Sequence, residues 1–378
     1  YKRQQLYDIP YLAKRITRVL GDKACKKLSP WGLVTHEEIY MQGRAHTVYD
    51  IGGVTVLDYM DLYKKFTYKA QESYRLDYIG EVELGQKKLD HSEFDTFKDF
   101  YTKAWNKFVD YNIQDVRLVD SLEEKMKLIE LAVTMAYDAQ VNFTDVFYQV
   151  RMWYMIIYND LKRKGIVIPP KKDQDKAEKY AGAYVKEPKP GMYDWVVSFD
   201  LNSLYPHLIM QYNISPETVL DERYPSVSVD KLLNEEVDLS GLKDVTVCPN
   251  GAMFTTKKRG FLPKWMEKIY GERVVFKKKM LKAKKDYEKS PSKALEKEIA
   301  RCNNIQMAKK IQLNSAYGAI GNNYFRYYKL ENAEAITLGG QFSIRWIERK
   351  VNLYMNNVLK TKEKDYVIAS DTDSIYLH

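Results

Sequence analysis

Cysteine is scarce. Cys25, Cys248 and Cys302 are the only three in 378 residues, and they lie far apart. That excludes a disulfide framework and cysteine-based metal spacing, and it predicts reduced thiols in a cytosolic protein. Long apolar runs are missing as well, so no stretch spans a bilayer, and no signal peptide opens the chain. No internal repeat is visible, which excludes solenoid and propeller arrays. The chain starts at Tyr1 rather than Met, and its beginning reads as a cut end.

Basic charge, by contrast, is abundant. Lys and Arg number 60 against 51 acids, a net charge of +9. That balance suits a polyanionic partner, or simply a basic protein. Position favours the partner, because Lys and Arg crowd between Lys257 and Lys310 while acids and bases are mixed elsewhere. The length gives room for two or three domains.

A basic helix is predicted from Asp8-Ile9-Pro10 to about Leu20, followed by strands around Thr47 to Leu57 with a hairpin turn at Gly52-Gly53. Helical periodicity then runs from Phe94 to Tyr111 and from Leu118 to Leu161. The polar segment Pro169 to Lys176 has linker composition and separates these helices from a strand ending at Asp200. Pro263 opens a long helix to about Lys289; Ser290-Pro291 then predicts a cap and first position for a second helix to about Tyr317.

The chemistry-bearing pattern is a set of acids at strand tips. Val196 to Asp200 is an apolar strand that runs into Leu201-Asn202-Ser203-Leu204-Tyr205-Pro206, and Tyr366 to Tyr376 carries Asp371-Thr372-Asp373. Carboxylates so placed suit a pair of magnesium ions clamping the oxygens of a phosphoryl transfer. Residues 371 and 373 are predicted to share one face of an extended hairpin. Either segment alone reads equally as a solvated acidic turn. Between them lies Lys309-Lys310-Ile311-Gln312-Leu313-Asn314-Ser315-Ala316-Tyr317-Gly318.

In that order the three segments resemble the A, B and C motifs of family B DNA polymerases. Four further runs resemble the T-even phage replicative type: Val56 to Phe66, Gly182 to Pro188, Asn213 to Thr218 and Arg345 to Asn352. The resemblance covers essentially the whole chain. It implies an α/β (α+β) fold with a ribonuclease H-like exonuclease portion at 1–128, a helical return at 129–171, palm at 172–259, two-helix fingers at 260–322 and palm again at 323–378.

It also implies roles. Asp200, Asp373 and the Leu201 carbonyl would hold two Mg2+ ions per active site, with Asp371 beside them. Ser203 and Leu204 would offer backbone N–H groups to the triphosphate, and Tyr205 would act as a steric gate under the sugar; ordinary packing beside Pro206 is the alternative. Arg273, Lys277 and Lys310 would meet the phosphates, and Asn314, Tyr317 and Gly318 would shape the floor under the base pair. A solvated basic face is the reading kept for Lys278, Lys279, Lys284 and Lys285. Tyr180, Gly182 and Ala183 match a template-contacting loop, or else form a plain Gly-Ala turn.

Asp8 and Tyr111-Asn112-Ile113-Gln114-Asp115 match two exonuclease motifs, with Asp8 and Asp115 as metal ligands and Tyr111 orienting water. Surface acids are the alternative. The first exonuclease motif is expected upstream of Tyr1. Departures from the family pattern are Arg3, Tyr7, His207-Leu208, Ala369-Ser370 and the direct meeting of the finger helices at Ser290-Pro291.

The resulting expectation is a polymerase piece ending just after the third motif. Its parent would extend a primer 3′-hydroxyl with deoxynucleoside triphosphates, edit 3′-to-5′, meet a sliding clamp and work in the cytoplasm of an infected bacterial host. The alternatives are a non-catalytic DNA-binding piece or half of a split polymerase; a protein-primed or RNA-copying enzyme is disfavoured by Tyr205 and the exonuclease motifs.

Overall fold

The computed structural model describes residues 4–41, 43–67, 69–170 and 180–378. Arg3 and most of the predicted linker, 171–179, lie outside the described residues. Helix and strand are mixed, and the chain divides into two compact units, Tyr1–Phe147 and Tyr148–His378. Cys25, Cys248 and Cys302 are free and buried. Among the described residues no helix is long and apolar enough to cross a membrane.

In the first unit, α1 (Ile9–Leu20) and α2 (Asp22–Lys26) precede a hairpin of β1 (Val34–Met41) and β2 (Arg44–Ile51). This corrects the predicted turn. Gly52-Gly53 lies just past β2, and residues 34–41 form a strand that the sequence hides. The polar run Thr35-His36-Glu37-Glu38 carries no apolar alternation to reveal one. Then come α3 (Tyr59–Phe66), α4 (Leu76–Leu84), α5 (Phe97–Lys103), α6 (Trp105–Met126) and α7 (Leu128–Ala139). Asp58 caps α3, its carboxylate accepting from Met60 N–H at 2.9 Å. The periodic run from Leu118 is cut by two left-handed residues, Lys127 (φ 56°) and Gln140 (φ 55°), into α6, α7 and a later helix. Phe97, Phe100, Phe108 and Tyr111 stack edge to face and join α5 to α6.

The second unit opens with α8 (Gln149–Arg163). Next come β3 (Val185–Lys186), β4 (Val197–Asp200), α9 (Leu204–Tyr212), β5 (Val219–Arg223), α10 (Val229–Leu233), β6 (Val245–Val247) and β7 (Ala252–Thr255). Two long helices, α11 (Phe261–Lys289) and α12 (Lys293–Ile320), lie against each other, each about 43 Å long at 1.5 Å per residue. The chain closes with α13 (Leu330–Leu359), β8 (Val367–Asp371) and β9 (Ser374–Leu377). Four strands pair antiparallel in the order β3-β8-β9-β4, and three more in the order β5-β7-β6. Ile344 of α13 packs on Val367, Ile375 and Leu377, covering one face of the four-stranded sheet.

Local chemistry fixes where the long helices begin. The first N–H groups of α11 are met by side chains of the 213–218 run. Asn213 Oδ1 accepts from Gly260 at 2.9 Å and Glu217 Oε1 from Phe261 at 2.6 Å. These are the donors a helix start leaves unsatisfied. For α12 the cap is Ser292, whose Oγ accepts from Leu295 N–H at 3.3 Å. That corrects the Ser290-Pro291 reading: Ser290 closes α11 and Pro291 stands outside both helices.

Candidate active site

Strand register and one turn set the positions of the three acids. Asp200 pairs with Ser374 on one side of β9, and Asp371 pairs with the same Ser374 on the other. Two strand spacings separate Asp200 from Asp371, about 10 Å between backbones. Asp373 does not share an extended face with Asp371, contrary to the sequence expectation. It stands in the two-residue turn between β8 and β9, after Thr372 at φ 53°, where the reversal swings it toward β4. Leu201 N–H donates to the Asp373 carbonyl at 2.7 Å and pins that turn to the end of β4. Burial, then the Asp200 carboxylate, then Asp371 push the Asp373 carboxyl up.

Among the described residues no group of three or more His, Cys, Asp or Glu side chains forms a metal cluster. The donor set nevertheless fits magnesium, which takes one or two carboxylates and completes its shell with water and substrate phosphate. Asp200 and Asp373 repel one another, and a cation between them would relieve that repulsion.

A cleft of 520 Å³ is lined by Asp200 and Asp373, by Ser203, Leu204 and Tyr205 of the turn into α9, and by Arg273, Lys310, Asn314 and Tyr317 of the two long helices. Ser203 is left-handed, φ 56°, a conformation that costs a non-glycine residue energy and recurs at functional turns. Arg273 Nη1 donates to Ser203 Oγ at 3.3 Å, while its Nε is buried with no hydrogen-bond partner. The Tyr205 and Tyr317 rings lie 4.8 Å apart at 57°. Burial, with Asp373 next, pushes the Tyr205 phenol up. The Tyr317 hydroxyl is 3.2 Å from that of Tyr180, and burial carries its phenol far above the usual range. Thus the 180–183 loop touches the cleft through Tyr180; Gly182 O accepts from Gln341 at 2.7 Å and Ala183 is exposed.

Four predicted residues lie off the cleft. Lys277 is exposed on α11, Leu201 packs against the sheet core, and Asp371 stands on β8, two strands from Asp200. Gly318 faces α8, where a Cβ would come within 2.4 Å of Gln149 Oε1.

In the first unit Tyr111 and Asp115 share a face of α6. Lys88 Nζ bridges them, 3.1 Å from the Tyr111 hydroxyl and 2.6 Å from Asp115 Oδ2, and Asp115 Oδ1 is buried without a partner. Asp8 is exposed at the start of α1, and α6 packs on α4 and α5; no hydrogen bond or ion pair among the described residues joins Asp8 to Asp115.

The sequence profile of DNA polymerase family B matches residues 144–378. The chain belongs to this family. The DNA-directed DNA polymerase of Escherichia phage RB69 is 35% identical over 413 residues, covering 98% of this chain and 45% of the relative. That of Enterobacteria phage T4 is 33% identical over 419 residues, with the same coverage. A DNA polymerase of Pyrococcus glycovorans is 27% identical over 389 residues, covering 98% and 43%. The chain therefore spans less than half the length of these curated relatives.

Two features of this family B chain escaped sequence reasoning. Lys88 lies in an unremarkable Lys87-Lys88 pair, and only the fold of α4 against α6 brings it to Asp115. Glu272 and Lys309 form an ion pair of 2.6 Å between α11 and α12, with the lysine side chain 8% exposed. Each adjoins a cleft cation, Arg273 or Lys310, and that adjacency was the available signal.

Proposed function

We propose that this chain forms the catalytic centre of a DNA-directed DNA polymerase that adds deoxynucleotides to a primer 3′-hydroxyl on a template. The observation that carries the reading is one cleft lined both by Asp200 and Asp373 and by Arg273 and Lys310. Asp200 and Asp373, with the Leu201 carbonyl, are the groups to hold two magnesium ions, which when bound supply charge to the attacking and leaving oxygens. Arg273, Lys310 and the N–H groups of Ser203 and Leu204 receive the triphosphate, with Lys277, one turn further along the same face of α11, as a further nucleotide-binding cation. Tyr205 walls off a 2′-hydroxyl, and Asn314 and Tyr317 support the nascent pair, with Gly318 behind them against α8. Tyr180, Gly182 and Ala183 carry the template strand. Asp371 adds negative charge beside the metal-binding acids.

Residues 1–128 are assigned to a 3′-to-5′ exonuclease, 129–171 to a helical return, 172–259 and 323–378 to the palm, and 260–322 to the fingers. The Lys88-Tyr111-Asp115 cluster supports the exonuclease part, with Asp8 as a further ligand. A sliding clamp and a host-cytoplasm location rest on the resemblance to phage polymerases alone.

Single-nucleotide addition to a primer-template in magnesium tests the reading, with the chain alone and supplemented with the remaining C-terminal part of the RB69 relative. Asp373→Ala should abolish addition and leave primer-template binding nearly intact. Addition by the variant at a comparable rate would sink the assignment. DNA binding with no addition in either arm would favour the non-catalytic reading.

A further inference from the structure

His207 stands one turn into α9, at a position where the family pattern has Ser, and nothing in the reading above gives it a task. Its ring Nδ1 lies 2.9 Å from the Ser203 carbonyl oxygen, which also accepts the His207 backbone N–H at 3.1 Å. A carbonyl can only accept, so Nδ1 carries the proton. The same ring meets Tyr270 of α11 edge to face, with centroids 4.7 Å apart and planes at 80°.

Those two contacts close a ring of residues around one corner of the cleft. Tyr270 and Arg273, three apart, share a face of α11. Arg273 reaches across to Ser203 Oγ. Ser203 holds the costly left-handed backbone that leads into α9. Ser203, His207, Tyr270 and Arg273 thus form a circuit linking the turn after Asp200 to the helix that supplies a phosphate-binding cation. With Ala at 207 the ring contact and the second bond to the Ser203 carbonyl both disappear; Ser can still donate its hydroxyl to that carbonyl but makes no ring contact with Tyr270.

We infer that His207 is a positioning residue for the nucleoside triphosphate. It holds the Ser203 turn in its left-handed form and keeps α11 at the distance where Arg273 and Ser203 can grip the same phosphate. The inference rests on the cleft being a nucleotide site.

The test is calorimetric binding of dATP in magnesium to the 378-residue chain, with primer-template affinity measured alongside. His207→Ala should weaken dATP about tenfold, the loss of a part-buried hydrogen bond and a ring contact. It should leave primer-template affinity within about twofold. His207→Gln, which keeps a donor, and His207→Phe, which keeps the ring, should each fall between. Circular dichroism selects the variants that fold, and the Gln and Phe exchanges keep the test open if Ala does not. The decisive arm is the double substitution. In an Arg273→Ala background, His207→Ala should cost almost nothing further, because the cation it positions is gone. A purely structural role would not be silenced in that way. Wild-type affinity in folded His207 variants, or an undiminished loss in the Arg273→Ala background, would overturn the inference while leaving the nucleotide site standing. Absence of dATP binding by the unsubstituted chain would overturn the site reading and the inference together.

Discussion

Tyr205 is held on two sides. The Tyr317 ring lies 4.8 Å away, and a Cβ at Gly340 of α13 would come within 3.0 Å of Tyr205 Cε1, close enough that the ring would have to shift by a few tenths of an ångström. A packed ring rejects an added hydroxyl by collision, whereas a loose pocket merely tolerates it. Tyr205→Ala should therefore lower the preference for deoxy- over ribonucleotides by about 100-fold, mostly by improving ribonucleotide use. The two specificity constants, measured separately, check this; an unchanged ratio would leave Tyr205 as packing. At this scale the family resemblance singled out Tyr205, five positions after Asp200, and the structure brings it into the lining of the cleft with Asp200. The sequence was not legible where a turn decides direction. Asp373 reaches the cleft through a two-residue reversal that period-two reasoning cannot represent.

The element that most shapes the cleft is the pair of long helices, and its register depends on one partly buried charge pair. Glu272 and Lys309 meet at 2.6 Å, so Arg273 and Lys310, the next residues along, line the same cleft. Removing Lys309 leaves the Glu272 carboxylate, its side chain 34% exposed, partly solvated but without this partner. Lys309→Met should therefore destabilise the second unit by about 1 kcal/mol, and the paired change Glu272→Leu with Lys309→Met should recover most of that loss. Urea unfolding of single and double variants is the measurement; additive losses would deny the lock. The helices themselves were plain in the sequence from length and composition. Their boundary was not, because Ser290 and Ser292 are equally good caps on paper and only the backbone chooses between them. The strand at 34–41 was missed for a related reason: a polar two-stranded ribbon leaves no apolar signature.

A second element carries its own pH signature. Lys186 of β3 donates to Asp365 at 2.7 Å, Lys189 approaches it at 2.9 Å, and Asn352 of α13 donates to the same carboxylate at 2.8 Å. Burial alone would raise Asp365, but the two ammonium groups and Asn352 outweigh it and hold the carboxyl well below the usual range. A depressed folded pKa adds stability above the unfolded value near pH 4 and loses it as pH falls through the folded one. Asp365→Asn should cost about 1 kcal/mol at neutral pH, since the group is partly solvated, and should flatten the stability curve below about pH 4. Thermal melts across pH would show it; a constant deficit at every pH would place the effect elsewhere.

For the molecule as a whole, the net charge of +9 is the property most directly tied to a polyanionic partner. The charge is not spread evenly: Lys257, Lys258, Lys264 and Lys268 are exposed at the root of α11, and Lys278, Lys279, Lys284 and Lys285 are exposed along its length. Binding of duplex DNA by such a surface releases condensed counterions, so the logarithm of affinity should fall linearly with the logarithm of salt, by about 0.9 for each phosphate engaged. Six contacts would cost roughly a thousandfold between 50 and 200 mM salt. If the four lysines further along α11 are merely solvated, replacing all of them by Gln should change that slope by less than about one unit, because charges beyond a Debye length of about 8 Å contribute little. Binding of dATP, held by a few cations inside the cleft, should be much less sensitive. Fluorescence anisotropy of a labelled primer-template over a salt series, with the unsubstituted chain and the four-lysine variant, separates these cases. A slope near zero would mean that the positive charge serves something other than nucleic acid, and a slope cut by three or more in the variant would move the DNA track onto the outer part of α11.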